Sequence, residues 1–164
     1  METLVMYYSF SGRTHYEAKR VAERVEGELY EVREQRRRSV FSLYFLGPRQ
    51  ARRKTFVYVE PIAVNLEDYD RVILLAPVWG GWPAPAFNSM VRELKPGMEA
   101  EVMLTSDSGR VRDINAVRRE VERRGVIVKG VSVIKTEDLK KRDRKHARRR
   151  REELRRRQAN DKRD

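Results

Sequence analysis

The chain has 164 residues, with 37 Lys and Arg against 25 Asp and Glu, a formal net charge of +12. It has no cysteine and only two histidines, which excludes disulfides, thiolate metal sites and cysteine nucleophiles and disfavours a histidine-rich metal centre. No apolar run approaches the ~20 residues that span a bilayer, and the first strand pattern starts too close to Met1 for a signal peptide. We therefore expect one compact domain in the cytoplasm.

The positive charge is concentrated in the last part of the sequence. Residues 139–164 contain 14 basic and five acidic residues, a net +9, which leaves +3 for the rest of the chain. They also contain too few apolar residues for a helix face that covers a sheet. We expect a nearly balanced domain over residues 1–138 and a basic helical tail over residues 139–164. Either the tail leaves the domain, or another subunit, as in a homodimer, supplies the cover for the sheet.

Strand and helix patterns alternate from the start of the chain. A strand pattern over residues 3–8, rich in β-branched and aromatic residues and apolar on both faces, is typical of a buried parallel strand. Apolar residues at helical spacing follow up to Gly27, where we expect a C-cap glycine. A half-exposed strand is predicted over residues 29–32.

The second half of the domain continues this alternation. Residues 71–76, 101–105 and 126–134 have strand patterns. Helices are predicted between them from the spacing of two apolar sets, Phe87, Met90, Val91 and Leu94, and then Ile114, Val117 and Val121. Five strands with helices between them predict a doubly wound parallel α/β sheet.

The connection between the second and third strands is unusual. An aromatic and apolar run over residues 39–48 is flanked by the basic triplets at residues 36–38 and 52–54. One interpretation is a helix that docks on a membrane surface or a partner. The interpretation we favour is a short amphipathic helix that covers one face of the sheet and keeps its charges in water.

The loop after the first strand has the composition of a phosphate-binding loop. It places hydroxyl groups at Ser9, Ser11 and Thr14 around Gly12, directly before a predicted helix. The helix dipole and free backbone N–H groups at that point attract a phosphate, and Arg13 either adds a positive charge or faces solvent. An ordinary Ser/Thr helix cap is the alternative. The spacing matches neither the dinucleotide-binding glycine fingerprint nor the Walker loop.

Loops after the third and fourth strands complete a candidate site, because open parallel sheets bind ligands beyond the strands' carboxyl ends. Trp79 and Trp82 lie among glycines and prolines after the strongest strand. Their rings suit stacking on a planar heteroaromatic group, although two core tryptophans are the alternative. The fourth-strand loop runs from Thr105 through Ser106, Asp107 and Ser108 to Gly109. It can hydrogen-bond to a polar ring edge or be a simple turn.

These three loops resemble the flavin-binding loops of the flavodoxin-like family, whose sheet order is 2-1-3-4-5 with FMN at the switch point. The resemblance covers residues 3 to about 134 and implies an FMN-binding redox protein in which the flavin carries the chemistry. It implies that the phosphate is held by Ser9, Ser11, Gly12, Arg13 and Thr14. It also implies that the isoalloxazine is bordered by Pro77, Val78, Trp79 and Gly80, and that its polar edge meets Ser106, Asp107, Ser108 and Gly109.

Two features depart from the flavodoxins that serve as electron shuttles. Those proteins are acidic and often stack the flavin between two aromatic rings, whereas this chain is basic and has no aromatic residue between Thr105 and Gly109. A more open flavin face suits a small reactant that approaches the ring. The partners that we expect are therefore a redox protein, NAD(P)H or a quinone.

Two further interpretations stay open. A flavodoxin-like domain without flavin would be a scaffold for the Arg-rich tail, which would bind nucleic acid or an acidic partner. Residues 40–46 would alternatively associate with a membrane surface. For the tail we expect weak nucleic-acid binding without sequence specificity, or a solvated helix end, because its glutamates can pair with arginines three or four residues away.

Overall fold

The computed structural model describes residues 2–36 and 38–136, and a mainly parallel sheet forms its centre. Its strands are β1 (Thr3–Tyr7), β2 (Glu28–Glu31), β3 (Arg71–Trp79), β4 (Trp82–Pro83), β5 (Glu99–Ser106) and β6 (Ile127–Lys135). The order is β2-β1-β3-β5-β6, and β4 pairs antiparallel with β3. The five parallel strands confirm the predicted doubly wound sheet and its order 2-1-3-4-5, and β4 is a short additional strand that was not predicted. The predicted tail, with its nucleic-acid binding, lies outside the described residues.

Helices cover both faces of the sheet, and two apolar clusters fill the space beneath them. The helices are α1 (Arg13–Val25), α2 (Val40–Phe45), α3 (Gly47–Arg52), α4 (Pro85–Glu93) and α5 (Ile114–Glu122). On β1, Leu4 joins the cluster beneath α4 and α5, and Val5 joins the cluster beneath α1. Central strands that are buried on both faces explain the continuous apolar runs in the sequence. Within the described residues, no helix is both long and apolar enough to cross a bilayer.

The end of α1 differs from the prediction. The left-handed residue is Glu26, with φ of 52°, and the Gly27 N–H donates to the Ala22 carbonyl at 2.9 Å. Gly27 is needed for a different reason, because a Cβ there would lie 2.7 Å from the Thr3 carbonyl oxygen. The glycine therefore lets the helix end approach β1, and the prediction of a C-cap glycine was wrong.

The third strand is longer than its apolar pattern indicated. Pro77, Val78 and Trp79, which were expected in a loop, are the last residues of β3. Gly80 and Gly81 then turn the chain with φ of 58° and 87°. Positive φ at both central residues is the geometry of the tight hairpin turn that matches strand twist. This turn holds Trp79 on a strand, which fixes its position more firmly than a loop would.

The connection after β2 forms two short helices, α2 and α3. Phe41 and Phe45 are exposed, and the contact with the domain is made by Gly47 and Ala51, which are buried. The prediction of a single amphipathic helix was therefore wrong, because the segment forms two short helices. Only glycine and alanine are small enough for the close approach of α3 to the end of β3.

Opposite effects of two adjacent substitutions test this account of the end of α1. We expect Glu26→Gly to raise the free energy of unfolding by up to about 1 kcal/mol, because it removes the cost of a left-handed non-glycine residue. We expect Gly27→Ala to lower it by about 1–3 kcal/mol, because the new Cβ collides with the Thr3 carbonyl. Urea denaturation followed by circular dichroism measures both. A destabilising Glu26→Gly with a neutral Gly27→Ala would contradict the geometry.

Candidate functional site

A cavity of about 310 Å³ lies at the carboxyl ends of β1, β3 and β5, at the lower end of the size range of small-molecule sites. It brings together eight residues from the three predicted loops: Ser11, Arg13, Thr14, Pro77, Val78, Trp79, Gly80 and Asp107. Four further residues line it that were not predicted: Phe10, Pro48, Thr105 and Thr136. Thr136 directly follows β6, so its place after a strand end was a usable sequence signal.

Five predicted site residues do not line the cavity: Ser9, Gly12, Ser106, Ser108 and Gly109. The side chains among them bond to their own loops. Ser9 Oγ accepts from the Gly12 N–H at 3.1 Å, and Ser106 Oγ donates to the Arg110 carbonyl at 2.8 Å. These residues shape the loops that carry the lining residues.

The N-terminus of α1 opens on the cavity and carries a partial positive charge. The first i→i−4 hydrogen bond runs from the Tyr16 N–H to the Gly12 carbonyl at 3.0 Å. The N–H groups of the first turn therefore have no partner within the helix, and that turn contains no acidic residue.

Gly12 has φ of 86°, and a Cβ there would meet no protein atom within 4 Å. Conformation, and not crowding by the protein, is what requires glycine at this position.

Two hydroxyl groups meet in the buried part of the cavity. Thr14 Oγ1 and Thr105 Oγ1 lie 2.8 Å apart, and both residues are buried. One hydroxyl donates to the other, which leaves the accepting hydroxyl its own hydrogen for a ligand. Thr105, the next-to-last residue of β5, thus orients the threonine in the first turn of α1 beside the cavity.

An ion pair crosses the mouth of the cavity. Arg13 Nη1 donates to Asp107 Oδ1 at 2.8 Å, and the Thr136 hydroxyl donates to the same oxygen. The Asp107 side chain is 79% exposed, so solvent screening keeps the contribution of this pair to stability small. An anionic ligand can therefore take Arg13 from Asp107 at little cost.

Trp79 forms a wall of the cavity and is held from several sides. Tyr8 and Phe10 contact its ring edge to face, with centroid distances of 5.9 and 6.4 Å. Gly47 of α3 lies against the ring, because a Cβ there would be 3.0 Å from Trp79 Cε3. The next residue, Pro48, lies so close to Gly80 that a Cβ on that glycine would be 2.9 Å from it.

A buried arginine completes the support of Trp79. The Arg38 guanidinium lies 5.4 Å from the indole centroid, donates to Glu34 Oε1 at 2.8 Å and donates to Gln50 Oε1 at 2.7 Å. Its side chain is only 6% exposed. Burial and the Glu34 carboxylate raise the pKa of Tyr8 well above its usual range, so that phenol stays neutral. The sequence indicated a solvated basic triplet here, and nothing local distinguished Arg38 from its neighbours.

The second tryptophan has a different environment. Trp82 lies on β4, with Lys54 Nζ 5.2 Å from its ring centroid, and it does not line the cavity. It borders a small depression with Phe87 and Val117. Of the two tryptophans, only Trp79 is placed to contact a ligand in the cavity.

The titratable residues Tyr7 and His15 contact each other outside this cavity. Tyr7 hydroxyl and His15 Nδ1 are 2.5 Å apart, and burial raises the pKa of Tyr7 to about 12. Neither residue lines the cavity. Within residues 2–36 and 38–136, no group of three His, Asp or Glu side chains can hold a metal ion. The site is therefore built for binding, with hydroxyls, a helix N-terminus and an aromatic wall.

Comparison with known proteins identifies the fold. No family model and no curated protein matches the chain. Among solved structures, the flavoprotein from Lactobacillus acidophilus NCFM in complex with FMN matches with TM-score 0.68 and 22% identity, over 80% of this chain and 92% of that chain. Two-electron reduced Megasphaera elsdenii flavodoxin matches with TM-score 0.51 and 16% identity, over 80% and 84%. The chain has the flavodoxin-like fold.

Substitution of Arg38, which lies against Trp79, tests whether its buried ion pair with Glu34 stabilises the fold. We expect Arg38→Met to lower the free energy of unfolding by about 3–5 kcal/mol, because it leaves the Glu34 carboxylate buried without its partner. The double variant Glu34→Leu/Arg38→Met should recover most of this loss, because no buried charge remains. Thermal and urea denaturation measure both. Additive losses in the double variant would show that the pair is not coupled.

Proposed function

We propose that this chain is an FMN-binding redox protein that exchanges electrons or hydride through the bound flavin. One observation carries the proposal: an anion-attracting helix N-terminus and an aromatic wall meet in a single cavity beyond the carboxyl ends of a flavodoxin-like sheet. The L. acidophilus protein of the same fold was solved in complex with FMN, which supports the choice of cofactor.

The loop before α1 holds the FMN phosphate in this proposal. The backbone N–H groups of the first turn, the Ser11 hydroxyl and the Thr14 hydroxyl supply donors, and Arg13 supplies charge after it leaves Asp107. The free space in front of Gly12 leaves room for the phosphate oxygens. Ser9 acts through the loop, because its hydroxyl is bonded to the Gly12 N–H.

Pro77, Val78, Trp79 and Gly80 border the isoalloxazine in this proposal. The Trp79 ring is supported from behind by Gly47 and Arg38, so it presents a fixed apolar surface. The backbone of residues 106–109 meets the polar edge of the ring. Bound FMN supplies acceptance and donation of a hydride or of single electrons, while the protein supplies orientation and electrostatics.

The reactants and the setting follow from the same proposal. No aromatic residue lies between Thr105 and Gly109, so one flavin face stays open to NAD(P)H, a quinone or a redox protein. We place the protein in the cytoplasm. We retain the division into a domain over residues 1–138 and a basic tail over residues 139–164, which either forms a homodimer contact or binds nucleic acid weakly.

The phosphate site predicts a preference for FMN over riboflavin. We expect FMN to bind about ten- to a hundredfold more tightly, because charge-assisted hydrogen bonds contribute about 1.5–3 kcal/mol. Thr14→Val should weaken FMN binding and leave riboflavin binding unchanged. Ser132→Ala is the control, since Ser132 is exposed on β6 and lies outside the cavity. Flavin fluorescence titration measures the six affinities of the three proteins for the two flavins, and equal affinity of the unmodified chain for FMN and riboflavin would contradict the phosphate site.

The tryptophan wall predicts different effects at two tryptophans. We expect Trp79→Ala to weaken FMN binding by about 1–3 kcal/mol and to relieve the quenching of flavin fluorescence, because it removes the apolar surface beside the ring. Trp82→Ala, on the far side of the hairpin, should leave both unchanged. The fluorescence of bound FMN is compared with that of free FMN at saturating FMN. Relief of quenching in a variant that still binds FMN shows loss of the contact with the ring, and not loss of the fold. A larger effect at Trp82 would show that the wrong tryptophan was assigned.

A further inference from the structure

The two short helices after β2 expose a compact group of apolar side chains that the proposed function does not use. Phe41 and Phe45 stack with their centroids 4.5 Å apart and are 69% and 65% exposed. Leu46 follows them and is 49% exposed. Isolated exposed apolar residues are ordinary, whereas a contiguous group with charged residues around it is typical of an interaction site.

Exposed basic side chains that have no carboxylate partner among the described residues follow this apolar group in the chain, although Arg52 Nε donates to the Pro48 carbonyl at 3.3 Å. Residues 36–54 contain seven basic residues and no acidic residue. Arg38 is bound to Glu34, and Lys54 Nζ lies 3.8 Å from Glu120 Oε2. The exposed residues Arg49, Arg52 and Arg53 form no ion pair with any carboxylate in the described part of the chain. We call these three arginines together with Phe41, Phe45 and Leu46 the α2–α3 patch.

The α2–α3 patch lies at the rim of the cavity. Pro48, between the apolar and the basic residues of the patch, lines the cavity itself, and the preceding Gly47 contacts the Trp79 ring. A molecule that sits on the patch is therefore adjacent to whatever the cavity holds. For a redox cofactor, this adjacency is the condition for electron transfer with a second protein.

We propose that the α2–α3 patch is the docking surface for an acidic electron-carrier protein, an inference that rests on the proposed FMN function. A small apolar centre with a charged rim is the anatomy of transient protein interfaces, in which aromatic residues and arginine are enriched. The unpaired arginines complement carboxylates on the partner and steer its approach. One electron passes between the carrier and the bound flavin in each encounter, and no covalent bond forms or breaks.

Stopped-flow kinetics of the FMN-loaded full chain tests this inference, with a reduced acidic [2Fe–2S] ferredoxin as the probe. We expect Arg49→Glu/Arg53→Glu to slow flavin reduction at low salt by about tenfold or more, because it reverses the steering charge. The control Lys19→Glu/Arg24→Glu makes the same change in net charge on exposed residues of α1 and should have a much smaller effect. Added salt should lower the rate of flavin reduction in the unmodified chain and reduce the difference in rate between the patch variant and the control variant.

The apolar centre has its own matched pair of variants. Phe41→Ser/Phe45→Ser should raise the ferredoxin concentration that gives half-maximal reduction rate, because the desolvated centre of the interface is lost. Tyr58→Ser/Ile127→Ser changes two other exposed apolar residues, 76% and 51% exposed, and should leave that concentration unchanged. FMN content, measured by absorbance, should be the same in all variants.

The outcomes separate this inference from the function on which it rests. A chain that binds no FMN refutes the proposed function, and the docking inference with it. A loaded chain whose reduction by ferredoxin is undetectable, or is equally affected in patch and control variants, refutes docking alone. Sedimentation with phosphatidylglycerol vesicles tests a membrane as the alternative. The docking inference is also wrong if Phe41→Ser/Phe45→Ser abolishes binding to these vesicles and the patch and control variants have the same ferredoxin kinetics. The patch would then bind a membrane.

Discussion

The parallel pairing of β1, β3 and β5 is the constraint on which the candidate site depends. The register sets Tyr7 beside Leu75 and Leu75 beside Met103, so the three strands leave the sheet at one edge. Strand backbone groups are satisfied within the ladder, whereas the following loops and the start of α1 keep N–H groups and side chains for other partners. The loop before α1 and the aromatic wall at Trp79, far apart in sequence, meet there because the strands before them are neighbours.

Burial of the central strands on both faces gives that edge its rigidity. Leu4, Val5, Leu74 and Leu75 are fully buried, and a close-packed interior resists displacement. The turns built on this base adopt left-handed conformations at Gly12, Gly80 and Gly81. A fixed sheet edge with glycine turns allows a ligand to approach the backbone closely while the lining side chains keep their positions.

The segment that contains α2 and α3 has two different sides. On its inner side the segment packs closely on the domain, with Gly47 against Trp79 and Pro48 against Gly80. Its outer side carries the stacked phenylalanines and the unpaired arginines. One short segment therefore supports the cavity wall on its inner side and exposes apolar and basic side chains on its outer side.

The sequence alone determined the five parallel strands, their order through the family resemblance, and eight of the residues that line the cavity. Those features depend on local pattern: strand runs, loop composition after strand ends, and glycine before a helix. Only the tertiary structure decided the place of Arg38 against Trp79, the hydroxyl pair of Thr14 and Thr105, and the outward direction of Phe41. Each of these depends on contact between residues distant in sequence, and local hydrophobic periodicity contains no information about such partners.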